Sequence, residues 1–160
     1  MTKRVGGSDR SEGRGSRSNA QVRVLVVAAD ESVRAHLVVA LRRPGLTVVD
    51  AVGKPAAAVR ACQELSPDVV VVDLATGSEE GFAAVQEIMA FRPTPILVVT
   101  DAPEGQEAFK ALAFGALDVM RRPDGATAEV FGEDLAHRLR LLSGVRVITH
   151  VRGRRARKRE

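Results

Sequence analysis

Five short apolar runs, each followed by a stretch of helical periodicity, restrict the fold of this chain more than any other feature. The runs are rich in Val, Ile and Leu and lack the polar alternation of strands that face water on one side. They therefore predict strands that are covered on both faces. The runs are VRVLVVA (22–28), LTVVDAV (46–52), DVVVVDL (68–74), PILVVT (95–100) and ALDVM (116–120).

The stretches between the runs carry apolar residues at helical spacing, and breakers such as Pro44-Gly45 and Gly115 stand where helices should end. Strand and helix in regular alternation predict an α/β fold, a doubly wound five-stranded parallel sheet with helices on both faces. Such sheets bind ligands beyond the carboxyl ends of their strands. The predicted helices cover residues 31–43, 55–65, 81–91, 104–114 and about 126–142.

Charge divides the 160-residue chain into three parts. Residues 1–20 carry five Lys or Arg and two acids, and their Gly and Ser content predicts a disordered leader. Residues 21–143 form the predicted domain, and residues 144–160 a basic tail that resembles an interdomain linker. The net charge of +4 therefore comes from the two ends. The cations of the tail are Arg152, Arg154, Arg155, Arg157, Lys158 and Arg159.

Composition excludes several classes of protein. With five Phe and no Trp or Tyr, the chain has no aromatic platform on which single-stranded nucleic acid could stack. The single Cys62 cannot form an intrachain disulfide, which fits a reducing cytoplasm, and we expect it to pack as a small buried residue. No apolar stretch approaches the roughly 20 residues that span a bilayer. His36, His137 and His150 lack a mutual metal spacing, and the two on predicted helices are expected at the surface.

Acidic and basic side chains follow the predicted strands where a ligand site is expected. Asp73 ends the third strand and could act as a nucleophile or metal ligand, or brace the loop that follows. Asp30 follows the first strand and is expected to be the N-cap of the first helix, although a local slip could bring it to the site. Thr100-Asp101 ends the fourth strand, and Arg122 follows the fifth.

The segments VRVLVV, DVVVVDLATGSEEG, RPTPILVVT and GALDVMRRP resemble the receiver domain of two-component response regulators. They are most similar to the N-terminal receiver domain of the chemotaxis protein-glutamate methylesterases. The resemblance covers about residues 22–142 and implies the flavodoxin-like (βα)5 receiver fold of a bacterial phosphorelay protein. It also implies a signalling partner, either a histidine kinase or a chemotaxis component.

The resemblance gives roles to individual positions. Asp73 matches the phosphoacceptor, which attacks a phosphohistidine to form an acyl phosphate. Thr100 matches the hydroxyl that hydrogen-bonds the phosphoryl group, and Arg122 takes the place of the family's lysine as the cation that faces it. Gly81 matches the end of the loop after the acceptor. Pro123 matches a proline that usually follows a cis peptide bond.

Several positions depart from the family pattern. Ala28 and Ala29 replace the acidic pair that holds Mg²⁺, so the metal site is weakened. Arg122 keeps a positive charge but presents a planar fork, and Asp101 places an acid where it would repel a phosphoryl group. Val119 replaces the aromatic switch residue, and Thr76-Gly77 replaces the usual Met-Pro. These changes predict a degenerate receiver with weak or no Mg²⁺-dependent phosphorylation at Asp73, acting by protein contact.

Two other functions remain open from the sequence. The basic tail could contact nucleic acid or an anionic surface while the receiver fold serves as scaffold, although a solvated linker remnant explains the same charges. The chain could also be a regulatory remnant of a methylesterase. No GxSxG nucleophile motif occurs, so we do not expect an enzyme. The sequence leaves the oligomeric state open and allows a homodimer.

Overall fold

The computed structural model describes residues 21–75, 79–122 and 128–148. It contains five strands and five helices in strict alternation, as the sequence pattern predicts. The strands are β1 (Val22–Val27), β2 (Leu46–Val52), β3 (Val69–Leu74), β4 (Ile96–Thr100) and β5 (Asp118–Arg121). The helices are α1 (Glu31–Ala40), α2 (Pro55–Leu65), α3 (Glu80–Phe91), α4 (Gln106–Ala113) and α5 (Ala128–Leu142).

The strands form one parallel sheet in the order β2-β1-β3-β4-β5. Helices lie on both faces, and each face has its own aliphatic core. Alternate valines of β3 serve the two cores: Val70 and Val72 pack with α2 and α3, whereas Val69 and Val71 pack with α1 and α5. All six residues of β3 are buried, which explains the unbroken apolar run in the sequence. The predicted doubly wound fold is therefore confirmed.

The first helix is shorter than the predicted 31–43. It begins after Asp30, whose carboxylate accepts a hydrogen bond from the backbone N–H of Val33 at 2.9 Å, so the N-cap prediction is confirmed. It ends at Ala40. The N–H of Leu41 is shared between the carbonyls of Leu37 and Val38, and the N–H groups of Arg42 and Arg43 bond to carbonyls three and two residues back, which tightens the last turn. Arg42 and Arg43 therefore belong to the connection to β2, not to the helix.

The chain after α5 still contributes to the fold. Val145 closes a turn with its N–H on the carbonyl of Leu142 at 2.9 Å. Val147 then packs against the core on the α2 and α3 face, although α5 itself packs on the other face. Residues 143–148 thus pass from the face of the sheet that α5 covers toward the face that α2 and α3 cover. Within the described ranges, no helix is long and apolar enough to cross a membrane.

Cys62 is fully buried on α2, as expected from its apolar neighbours. Burial raises the pKa of its thiol, and a hydrogen bond with Thr94 and the charge of Arg92 only partly oppose this. Because the thiolate is the reactive form, we expect the thiol to react with a disulfide reagent at least about 100-fold more slowly in the folded protein than in urea at about pH 8. Colour release from such a reagent measures both rates. Equal rates in the folded and unfolded protein would contradict this burial.

Candidate functional site

Three of the predicted site residues, Asp73, Thr100 and Arg122, lie together at one edge of the sheet, beyond the carboxyl ends of the strands. Asp73 lies next to the end of β3, and the register of the parallel strands aligns it with Val99, one residue before Thr100. Thr100 in turn pairs with Arg121, so Arg122 follows immediately beside it. The backbone N–H of Arg122 donates to the carbonyl of Thr100 at 2.9 Å. Sheet register alone therefore brings the three residues together.

Asp73 and Arg122 form an ion pair at the centre of this edge. The carboxylate is buried, with Asp73 only 3% exposed, and its Oδ1 contacts Nη2 of Arg122. Oδ1 and Oδ2 of Asp73 and Nη2 of Arg122 are all buried, and none of the three makes a hydrogen bond to a described residue, so the contact is an ion pair without hydrogen-bond geometry. The guanidinium is more accessible, since its side chain is 31% exposed. One oxygen of the predicted acceptor is therefore occupied by a cation of the same chain.

Asp101 also faces this guanidinium. Its Oδ1 lies 3.5 Å from Nη1 of Arg122, so the arginine bridges a buried and an exposed carboxylate. Burial lowers the pKa of the Arg122 guanidinium. The group nevertheless stays protonated at neutral pH, because guanidinium groups are not deprotonated in proteins. Asp101, which we expected from the sequence to repel a phosphoryl group, thus points toward Arg122.

Thr100 is buried at the same edge. Its Oγ1 accepts a hydrogen bond from the backbone N–H of Ala102 at 3.1 Å, which holds the first turn of the loop after β4. The hydroxyl therefore has a structural role in this loop, whatever it does with a ligand.

Gly81 allows α3 to approach the end of β3. A Cβ at this position would lie 2.5 Å from the carbonyl oxygen of Asp73 and 2.8 Å from Cδ2 of Leu74. Real Cβ atoms do not come this close to backbone atoms, so a side chain here would displace the backbone of Asp73 or the helix. The glycine at the end of the loop is thus required by close packing and not by its backbone angles.

The end of β1 presents no carboxylate to Asp73. Ala28 is buried, and Asp30 is engaged as the cap of α1. The carbonyl oxygen of Ala28 accepts a hydrogen bond from Nη1 of Arg34 at 2.8 Å, and the same nitrogen would lie 2.7 Å from a Cβ at Gly53. Sequence reasoning missed Arg34. Its place in the first turn of α1 was a usable signal, because helical side chains lean toward the helix N-terminus and can reach back over the preceding loop.

The described residues do not fit the Mg²⁺ ion that the receiver resemblance implies. Mg²⁺ requires a compact octahedron of oxygen ligands, usually with one or two carboxylates. Here alanines stand at the end of β1, and Arg122 contacts the carboxylate of Asp73. Across the three described ranges, no group of three or more His, Cys, Asp or Glu side chains could hold a metal ion. The positive charge beside Asp73 comes from the guanidinium of Arg122 and not from a metal ion.

Comparison with known proteins decides the family. The family model described as "Response regulator receiver domain" matches residues 24–128, which is well over half of the chain. The chain belongs to the response regulator receiver family. Among solved structures, this receiver domain is similar to the response regulator domain of Thermotoga maritima CheB, with a TM-score of 0.69 and 27% identity. The alignment covers 79% of this chain and 98% of that one.

Curated relatives of this receiver domain are methylesterases. It is 41% identical over 140 residues to protein-glutamate methylesterase/protein-glutamine glutaminase 2 of Anaeromyxobacter dehalogenans, covering 86% of this chain and 41% of that protein. It is 29% identical to the protein of the same name from Carboxydothermus hydrogenoformans, covering 40% of it. The chain thus spans about two fifths of these relatives, and it covers their receiver part only.

The remaining predicted positions divide into two groups. His36 and His137 are exposed on α1 and α5, as expected for surface histidines. Pro123, with the cis bond that the resemblance implies, lies outside the described residues, as do Thr76-Gly77, His150, the leader and the cations of the basic tail. The Mg²⁺ and phosphorylation expectations are untested and remain predictions.

Proposed function

We propose that this receiver domain is a signalling module of a chemotaxis-type pathway that works by contact with another protein and accepts a phosphoryl group at Asp73 weakly or not at all. The observation that carries the proposal is the ion pair between Arg122 and Asp73, at an edge where two alanines follow β1. The partner would be a histidine kinase or a chemotaxis component. Both partner classes are what membership of the receiver family implies.

The chemistry of phosphoryl transfer supports this reading. For Asp73 to accept a phosphoryl group, one of its oxygens must attack phosphorus while the bond to the donor breaks. Catalysis of this step consists mainly of positioning and of neutralising charge on the phosphoryl oxygens. Here Oδ1 is paired with Arg122, and Oδ2 is buried. Neither alanine at the end of β1 can hold a metal that would meet the incoming oxygens.

A contact surface is available on α4. Phe109 is 73% exposed and Leu112 is 44% exposed, and their spacing of three residues places them on one side of the helix. The neighbouring β5 and α5 carry two ion pairs, Arg121 with Glu104 and Arg138 with Asp118, each at 2.8 Å. An apolar centre beside charged pairs is typical of a protein-binding surface. These features support an output through the α4, β5 and α5 surface.

Incubation of the full chain with Mg²⁺ and acetyl phosphate tests the proposal. We expect intact mass spectrometry to show no stoichiometric phosphoryl adduct under conditions that fully modify an ordinary receiver domain run in parallel. The physical reason is the pairing of Asp73 with Arg122 and the missing acids at Ala28 and Ala29. A gain of one phosphoryl group per chain that Asp73→Asn abolishes would refute the proposal.

A further inference from the structure

Arginine side chains collect at the edge of the sheet opposite to Asp73, where the strands begin. Nη1 of Arg23 donates to the carbonyls of Leu65 and Ser66 at 2.6 and 2.9 Å, and Nη2 of Arg92 donates to Oγ of Ser66 at 3.0 Å. Two guanidinium groups therefore meet at the end of α2. Because all helices run antiparallel to the strands, their carbonyl ends lie at this edge and attract cations.

A second arginine group lies beside the connection from α1 to β2. Arg140 donates from Nη2 to the carbonyl of Pro44 at 2.7 Å, and Arg43 donates from Nη2 to the carbonyl of Glu129 at 2.6 Å. Arg42 is exposed next to them. The backbone bond from Val22 N–H to the carbonyl of Gly45, at 2.8 Å, joins this group to the strand that carries Arg23.

We call these residues, together with Arg146 after α5, the arginine edge: Arg23, Arg42, Arg43, Arg92, Arg140 and Arg146. Some acids at this edge are already engaged, because Asp68 accepts from the backbone N–H of Arg23 and Glu133 lies 4.0 Å from Arg43. Within the described ranges, Arg42, Arg92, Arg140 and Arg146 form no ion pair. Hydrogen bonds to carbonyls at helix ends account for the positions of Arg23 and Arg43. Arg42 and Arg146, by contrast, are exposed, and their side chains make no hydrogen bond within the described ranges.

Charge is distributed unequally between the two edges of the sheet. At the opposite edge, the acids Asp30, Glu31, Asp73, Asp101 and Glu104 follow the ends of β1, β3 and β4, together with the cations Arg34, Lys54, Arg121 and Arg122. That edge therefore carries mixed charge, whereas arginines predominate at the arginine edge.

We propose that the arginine edge binds duplex DNA through its phosphates without reading sequence. Duplex DNA carries one negative charge per about 1.7 Å of helix axis, so a row of guanidinium groups can contact several phosphates at once. Arginine forks suit phosphate oxygens, which they bind with two hydrogen bonds. The chain has no Trp or Tyr, and its five Phe are too few to stack a run of successive bases along this edge, so the duplex fits better than a single strand. This surface is independent of Asp73 and of the proposed protein contact.

Fluorescence anisotropy of a labelled duplex of about 20 base pairs, titrated with the full chain at several salt concentrations, tests the proposal. The test variant is Arg42→Glu with Arg146→Glu, because neither side chain makes a hydrogen bond within the described ranges. The control is Lys54→Glu with Arg60→Glu, which changes the net charge by the same amount on α2 and just before it. Circular dichroism verifies that both variants are folded.

We expect the test variant to bind at least about tenfold more weakly at 0.1 M salt, with a log-log salt slope reduced by about 2, since each lost phosphate contact removes about 0.9. The control should keep the slope and affinity of the parent chain. Equal losses in both variants would show that net charge alone matters and would overturn the proposal. So would unchanged binding by the test variant, or binding to vesicles of anionic phospholipid without binding to DNA.

Discussion

Replacing Arg122 with Met is expected to destabilise the domain by about 3 kcal/mol, near the lower end of the range for breaking a buried ion pair. The loss arises because the carboxylate of Asp73, only 3% exposed, would have no counter-ion and would either carry an unpaired buried charge or take up a proton, and both cost free energy. The partial exposure of Arg122 limits the effect. Urea denaturation at neutral pH measures it as a fall in the midpoint at unchanged slope.

The matched control removes the charge of the acid as well. In Asp73→Asn with Arg122→Met, no buried charge is left, so the double variant should be more stable than Arg122→Met alone. We expect a coupling energy of at least about 1 kcal/mol between the two positions. If the two substitutions add without coupling, the ion pair does not hold this edge together.

Replacing Gly81 with Ala is expected to cost about 1 to 2 kcal/mol, although alanine is the better helix former. The new Cβ would lie 2.5 Å from the carbonyl oxygen of Asp73, so α3 or the end of β3 must shift. Crowding of this kind typically costs about 1 to 3 kcal/mol, and the gain in helix propensity returns up to about 1. Thermal or urea denaturation gives the difference directly.

Gly144 is the control for this substitution. A Cβ there would meet nothing within 4 Å, and the residue lies in the exposed segment after α5. We expect Gly144→Ala to change the free energy of unfolding by less than about 0.5 kcal/mol. Equal effects at Gly81 and Gly144 would mean that close packing at the end of β3 is not what requires glycine.

The sequence predicted the fold because each strand of the sheet corresponds to one continuous run of mostly apolar residues. Val69 to Val72 need no distant residue to indicate a strand covered on both faces. It also predicted which residues reach the site edge, since strand ends in a parallel sheet meet at one edge. Asp73, Thr100 and Arg122 are neighbours for that reason alone.

The interactions between those residues were beyond sequence reasoning. That Arg122 contacts both Asp73 and Asp101, and that Arg34 reaches back to the carbonyl of Ala28, depends on side-chain rotamers and on packing between distant segments. The spacing of apolar residues along the sequence contains no information about the contacts of Arg122 or of Arg34. The arginine edge was missed for a similar reason, because Arg23 and Arg92 are far apart in sequence and both reach Ser66 only in the folded chain.

The pairing of Asp73 with Arg122 has a consequence for how long a signal could last. An acyl phosphate gives an output that decays as the phosphate is hydrolysed, so its lifetime is set by chemistry. A carboxylate neutralised by a guanidinium of its own chain has no such decay. Under the proposed function, the strength of the output would follow the number of copies of the protein, and synthesis and degradation would set its duration.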